Sequence, residues 1–336
     1  MSLRLHPQLV EGASNGPVLS VDGAFDAPGL NLSHWPGHRT PAALRHELST
    51  GSALLFNRLP AAERAELTRG LTAVVNNHYD TDGTLAMFAL VQPDRAAALE
   101  KPLLDAAAAG DFFAFPSDEA VALDALITLL PDAERSPLGG QLRGLSDLAR
   151  RQRALDFALA HLVGWLSEPL DGPAWAPFLD HVRPVLRVLH GDVADLARAE
   201  RHSRPELDFV HWVGDRPMNP GRHALFAKGD ADRVLVSAPL GSGFAHRLVV
   251  GTRSWFDLPT PRAHPRPQLD AATAALAARE PAARPDRWRA QPQLSPSPEL
   301  WFGTGELEMF AEHNGALRAS ALPPETVREV YVHHSA

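Results

Sequence analysis

The chain has 336 residues, 45% apolar and 21% charged, a balance that excludes a disordered tail or a fibrous repeat and leaves material for a sizeable core. The 32 basic and 40 acidic side chains leave a net charge of −8, so the molecule repels polyanions at long range; extended nucleic-acid coating is excluded, while a local basic cleft stays open. There is no cysteine, which removes disulfides, thiolate catalysis and cysteine-ligated zinc or iron–sulfur sites, so that any metal must sit on His, Asp or Glu.

Residues 1–12 carry His6 and Glu11 and lack the positive start and apolar run of a secretory signal, and no run of about 20 uncharged apolar residues occurs. The expectation is a cytoplasmic protein with no membrane partner, in two domains at this length. Val18–Val21, Leu30–Leu32 and Leu71–Val75 read as strands closed by Asp22-Gly23, Ser33-His34 and Asn76-Asn77-His78. Thr40-Pro41 offers a capping threonine and a first-turn proline for a helix, and further helices are predicted over 84–90 and 117–130. This alternation favours a parallel sheet. From Leu138 to Arg204 the apolar spacing is helical, and past Pro205 the runs 209–213, 223–227, 233–236 and 247–250 read as strands of an antiparallel meander. One helix is predicted over 269–279. The predicted class is α/β: an N-terminal, mainly parallel sheet with flanking helices over 1–135, a helical connector over 136–204, and a smaller C-terminal α+β domain over 205–336 on the substrate side.

The segment Val74 to Gly83 carries the densest chemistry. A strand runs into His78, Asp80 and Asp82, spaced by two, and then into Gly83. Alternate residues beyond a strand can point to one side, at the carboxyl edge where open α/β sheets bind ligands. Carboxylates held this close repel unless a divalent ion neutralises them. The bland reading is that Asp80 or Asp82 caps the next helix. Asp22 ends another strand, where an Asp-Gly turn is the alternative, and His34 and His38 follow a third, where loop histidines are. Asp111, after an alanine run and Gly110, is a further candidate, its alternative being the acidic end of a helix stopped by Gly110.

These strand ends resemble the DHH phosphoesterase superfamily. Val74 to Gly83 resembles its first motif, Val18 to Gly23 its second, and Leu30 to Trp35, with the downstream Leu48-Ser49-Thr50-Gly51, its third. The order is circularly permuted, and the third motif reads Ser33-His34-Trp35, keeping one of three signature residues. The resemblance implies a metal site on Asp22, His34, His78, Asp80, Asp82 and, more loosely, Asp111, with manganese favoured and magnesium possible. It also implies hydrolysis of a phosphoester or phosphoanhydride, the substrate being a small phosphorylated compound or a short oligonucleotide. His38 is a candidate catalytic or substrate-positioning residue.

In the second domain Gly241, Gly243, His246 and Arg247 resemble the superfamily's glycine-rich substrate loop, a glycine hairpin being the competing reading. Trp288, Trp301 and Phe302 amid Arg284, Arg287 and Arg289 are weak candidates for base stacking. Two rivals remain: a catalytically silent nucleotide or phosphate sensor on the same fold, and a metal hydrolase of another substrate class. Walker, zincin and serine-elbow signatures are absent.

Overall fold

The computed structural model describes residues 5–12, 16–71, 73–262, 264–281, 287–305 and 316–335. They divide into two compact units, one comprising Met1–Leu186 with Phe256–Thr260, the other Arg187–Trp255 with Pro261–Ala336. The helical stretch 136–204 is thereby shared between the units at the Leu186/Arg187 junction.

Unit 1 is built on a four-stranded parallel sheet in the order β1-β4-β2-β3, from β1 (His6–Leu9), β2 (Val18–Val21), β3 (Gly29–Leu32) and β4 (Ala73–Asn76). Short apolar runs suit strands covered on both faces, and Leu19, Val21, Leu32, Val74 and Val75 are buried. The helices are α1 (Ser49–Arg58), α2 (Ala61–Leu67), α3 (Thr81–Val91), α4 (Pro93–Ala98), α5 (Glu100–Phe112), α6 (Asp118–Leu129), α7 (Gly139–Leu142) and α8 (Asp147–Ser167), with α9 (Leu179–Arg198) starting in this unit. Helix α3 is apolar on nearly every side and is buried from Thr81 to Leu90, packed against α1 and α5.

The α/β class with a parallel sheet is as expected, and local corrections follow from particular contacts. Thr40 caps no helix: its hydroxyl is bonded to the backbone of Ser33, and only a 3-10 turn (Ala42–Leu44) follows before α1. Gly110 does not stop α5, which runs on to Phe112 and ends at Phe113 in the left-handed region (φ 52°). The glycine serves close packing instead, because a Cβ there would lie 2.9 Å from Thr81 Cβ. The edge strand β1, interrupted by Pro7, carried too short a pattern to be recognised.

Unit 2 holds a mixed six-stranded sheet, β5-β6-β7-β8-β10-β9, from β5 (Glu200–Arg204), β6 (Phe209–Val213), β7 (Arg233–Leu240), β8 (Gly243–Val250), β9 (Arg287–Ala290) and β10 (Glu299–Gly303). It is not a pure meander, since β6 and β7 run parallel. A parallel pair requires a crossover, and the connection contains α10 (Arg222–Phe226), where residues 223–227 had read as a strand. Helices α11 (Leu269–Ala277) and α12 (Pro324–Ser335) contribute Leu269, Leu276, Val327 and Tyr331 to a core that includes Phe209 and Leu248 of the sheet.

Candidate metal centre

Asp22 follows β2 and adopts a left-handed backbone (φ 46°), uncommon for a non-glycine residue and frequent at functional sites. Its carboxylate is fully buried. Oδ1 accepts from the Trp35 indole N–H at 3.1 Å and the Ser49 hydroxyl at 3.0 Å, while Oδ2 lies 2.9 Å from His78 Nε2. His34, beyond β3, is also fully buried, and its Nδ1 donates to the Glu47 carbonyl at 2.5 Å. A carbonyl can only accept, so the ring proton sits on Nδ1 and the lone pair on Nε2. That nitrogen makes no hydrogen bond, yet lies 3.1 Å from Asp111 Oδ2, 3.6 Å from Asp22 Oδ1 and 3.9 Å from Asp82 Oδ2.

The segment after β4 supplies the rest. Asp80 does two things at once: Oδ1 caps α3 by accepting from Gly83 N–H at 2.9 Å, and Oδ2 meets His78 Nε2 at 3.0 Å. Asp82 is held by the start of α1, accepting from Ser49 N–H at 2.6 Å and Thr50 N–H at 2.9 Å. Gly83 is required because a Cβ would stand 2.1 Å from Asn76 Nδ2 and 3.0 Å from carboxylate oxygens of both Asp22 and Asp80.

The electrostatics follow from this crowding. Burial pushes Asp22 up to about 6, with the charge of Asp80 adding to it. Burial, then the charges of Asp82 and Asp22, holds Asp111 well above the usual carboxylate range. For His78 burial opposes the imidazolium, but Asp80 and Asp22 outweigh it and raise its pKa well above 6.5. Burial pushes Asp80 up too, and the His78 imidazolium overcomes it to bring Asp80 down to about 2. The ligand atoms fall into two groups, Asp22/His34/Asp82/Asp111 and Asp22/His78/Asp80, each with its atoms within 4.8 Å of one another. A lone pair facing three carboxyl groups without solvent is stable only with a proton or a cation among them. The donor set therefore fits a divalent metal ion, and the cluster could hold one.

A family model described as a family of unknown function, DUF6687, matches residues 9–336. The chain belongs to that family. No curated protein and no solved structure matches it.

In this DUF6687 chain the six predicted ligands Asp22, His34, His78, Asp80, Asp82 and Asp111 come together. His38 stands apart from both groups: its Nδ1 accepts from Thr40 N–H and its Nε2 lies 3.6 Å from Asp257. Gly241 (φ 59°) turns the β7–β8 hairpin and Gly243 opens β8. His246 is fully buried, with both ring nitrogens bonded to Ser237 Oγ and the Leu322 carbonyl. Arg247 is buried in a bidentate pair with Glu299 at 2.7 Å. These residues are thus the glycine hairpin rather than an open substrate loop. Trp288, Trp301 and Phe302 are buried in the sheet of unit 2 and offer no face for stacking, and Arg284 lies outside the described residues.

Sequence reasoning missed the residues that shape the centre from behind. The Glu47 carbonyl and the α1 amides act through the main chain and have no side-chain signature, and Trp35, though part of the third motif, gives no sign in the sequence of its bond to Asp22. Phe256, whose ring centroid is 4.0 Å from that of His34, and Asp257, whose N–H donates to the His34 carbonyl at 2.8 Å, are more than 200 residues away along the chain. No periodicity links such positions.

Proposed function

We propose that the cluster binds one or two divalent cations and hydrolyses a phosphoester or phosphoanhydride, in the manner of the DHH phosphoesterases its strand ends resemble. The observation that carries the reading is Asp22, whose two oxygens face different ligand groups: Oδ1 towards His34, and Oδ2 towards His78. Mixed imidazole and carboxylate donors favour manganese, with magnesium the alternative. Bound there, a divalent cation supplies a water of lowered pKa and offsets charge on the phosphoryl oxygens. The chain's own groups prepare for this. Glu47 holds the His34 lone pair inward, and the first two amides of α1 hold Asp82. His78 must give up its Nε2 proton to become a ligand, which Asp22 and Asp80 resist until a cation replaces it. Burial lowers the pKa of His38, so at neutral pH its ring is uncharged and suits substrate positioning better than acid catalysis.

The test is metal analysis of the purified protein together with hydrolysis of bis-p-nitrophenyl phosphate and a short oligonucleotide under added manganese or magnesium. The expected result is manganese-dependent turnover, lost in Asp80→Ala and Asp82→Ala and kept in the surface control Glu66→Ala. A sensor is the second reading. It is favoured by Ser33 and Trp35, which stand where the resemblance has ligands and instead bond to the Gly23 backbone and to Asp22. Bound metal with no turnover of any phosphorylated compound selects it.

A further inference from the structure

In unit 2 a cavity of about 150 Å³ lies among the last turns of α9, strands β6 and β7, and α10. Leu196, Val210, Leu225 and Val234 make its walls apolar. On the solvent side stand the exposed residues Lys228 and Asp230. Lys228 Nζ is folded back over the Trp212 ring, 5.6 Å from its centroid, and the Arg201 guanidinium sits 5.4 Å from the same ring. Arg201 is paired with Asp230, so those two charges cancel. No carboxylate among the described residues pairs with Lys228, and the mouth keeps one uncompensated positive charge.

An apolar pocket of about this volume has room for a guest about as large as benzene. A polar or cationic guest would lose hydration in the cavity or meet Lys228 with like charge. We propose that the cavity binds a compact apolar carboxylate about the size of benzoate, its hydrocarbon body among Leu196, Val210 and Val234 and its carboxylate on the Lys228 ammonium. The site shares no residue with the acidic cluster of unit 1, and the proposal stands or falls independently of phosphoester hydrolysis.

The full chain is titrated with benzoate, benzyl alcohol and benzylamine, followed by calorimetry and ligand-observed NMR. Its two lysines, Lys101 and Lys228, are footprinted by acetylation. Benzoate is expected to bind about tenfold more tightly than benzyl alcohol, and benzylamine not at all. Benzoate should slow acetylation of Lys228 and leave Lys101 unaffected. Lys228→Met, a change at an exposed position, should leave Tm unchanged and reduce benzoate to the affinity of benzyl alcohol, and Ala224→Leu should fill the cavity and abolish both. Equal binding of all three probes, a preference for benzoate that survives Lys228→Met, or binding of none of them overturns the proposal.

Discussion

Asp22 combines a left-handed backbone with full burial and carboxylate neighbours, and the last two work against an ionised side chain. Its folded pKa of about 6 lies above the unfolded value of 3.8, so the ionised group destabilises the metal-free fold increasingly as pH rises from about 4 to 6, and fully above that. Asp22→Asn is therefore expected to leave the chelator-treated protein no less stable than the parent, while it removes the metal-dependent rise in Tm and at least about 100-fold of any turnover. Differential scanning calorimetry with and without manganese reads the first part; a large loss of Tm in the metal-free variant counts against it. Protons compete for the same oxygens and for His78, so metal affinity should fall as pH drops through about 6. Calorimetric titrations with manganese between pH 5 and 8 measure this, and a flat profile contradicts the assigned ligands.

The turn between β4 and α3 works only because Gly83 lets two carboxylates approach the helix start. Gly83→Ala forces the new Cβ onto Asn76 Nδ2 and is expected to cost about 1–3 kcal/mol by analogy with overpacked cores, measurable by urea denaturation. In unit 2 three strands are joined by a buried chain in which His211 Nε2–H donates to Ser237, Ser237 to His246 Nδ1, and His246 Nε2–H to the Leu322 carbonyl. Burial lowers His211 to about 2 and His246 to about 4. Both folded values lie below the ordinary 6.5, so their contribution is complete above pH 6.5 and is lost as pH falls below it, at about 1.4 kcal/mol per pH unit for each ring. His246→Gln should flatten the stability-versus-pH slope between pH 6 and 4.5, and an unchanged slope would refute the account. The parallel sheet and the strand-end ligands could be read from the sequence because each lies within ten residues of a short apolar run. Helix α10 could not, since His223 to Ala227 is too short for any period to show, and the parallel pairing that demands a crossover is a tertiary fact. Asp111 is legible in the sequence as a loose candidate ligand, but its placement is not: it reaches the centre from the last turn of α5, which runs on past Gly110.

Across the whole chain the net charge of −8 opposes an approaching polyanion while the candidate centre needs one. If the substrate is a short oligonucleotide, kcat/KM should rise between about 10 and 150 mM salt as the repulsion is screened, the reverse of a basic nucleic-acid binder; a fall across that range would mean a basic cleft dominates encounter. No helix among the described residues is long and apolar enough to cross a membrane. The division into units follows the chain order except at Phe256–Thr260, which belong with the first 186 residues. Phe256 and Asp257 brace His34 from that excursion. A ribosome delivers His34 more than 200 codons before the ring that steadies it, so during synthesis the imidazole waits without its aromatic neighbour until nearly half of the later unit has been made.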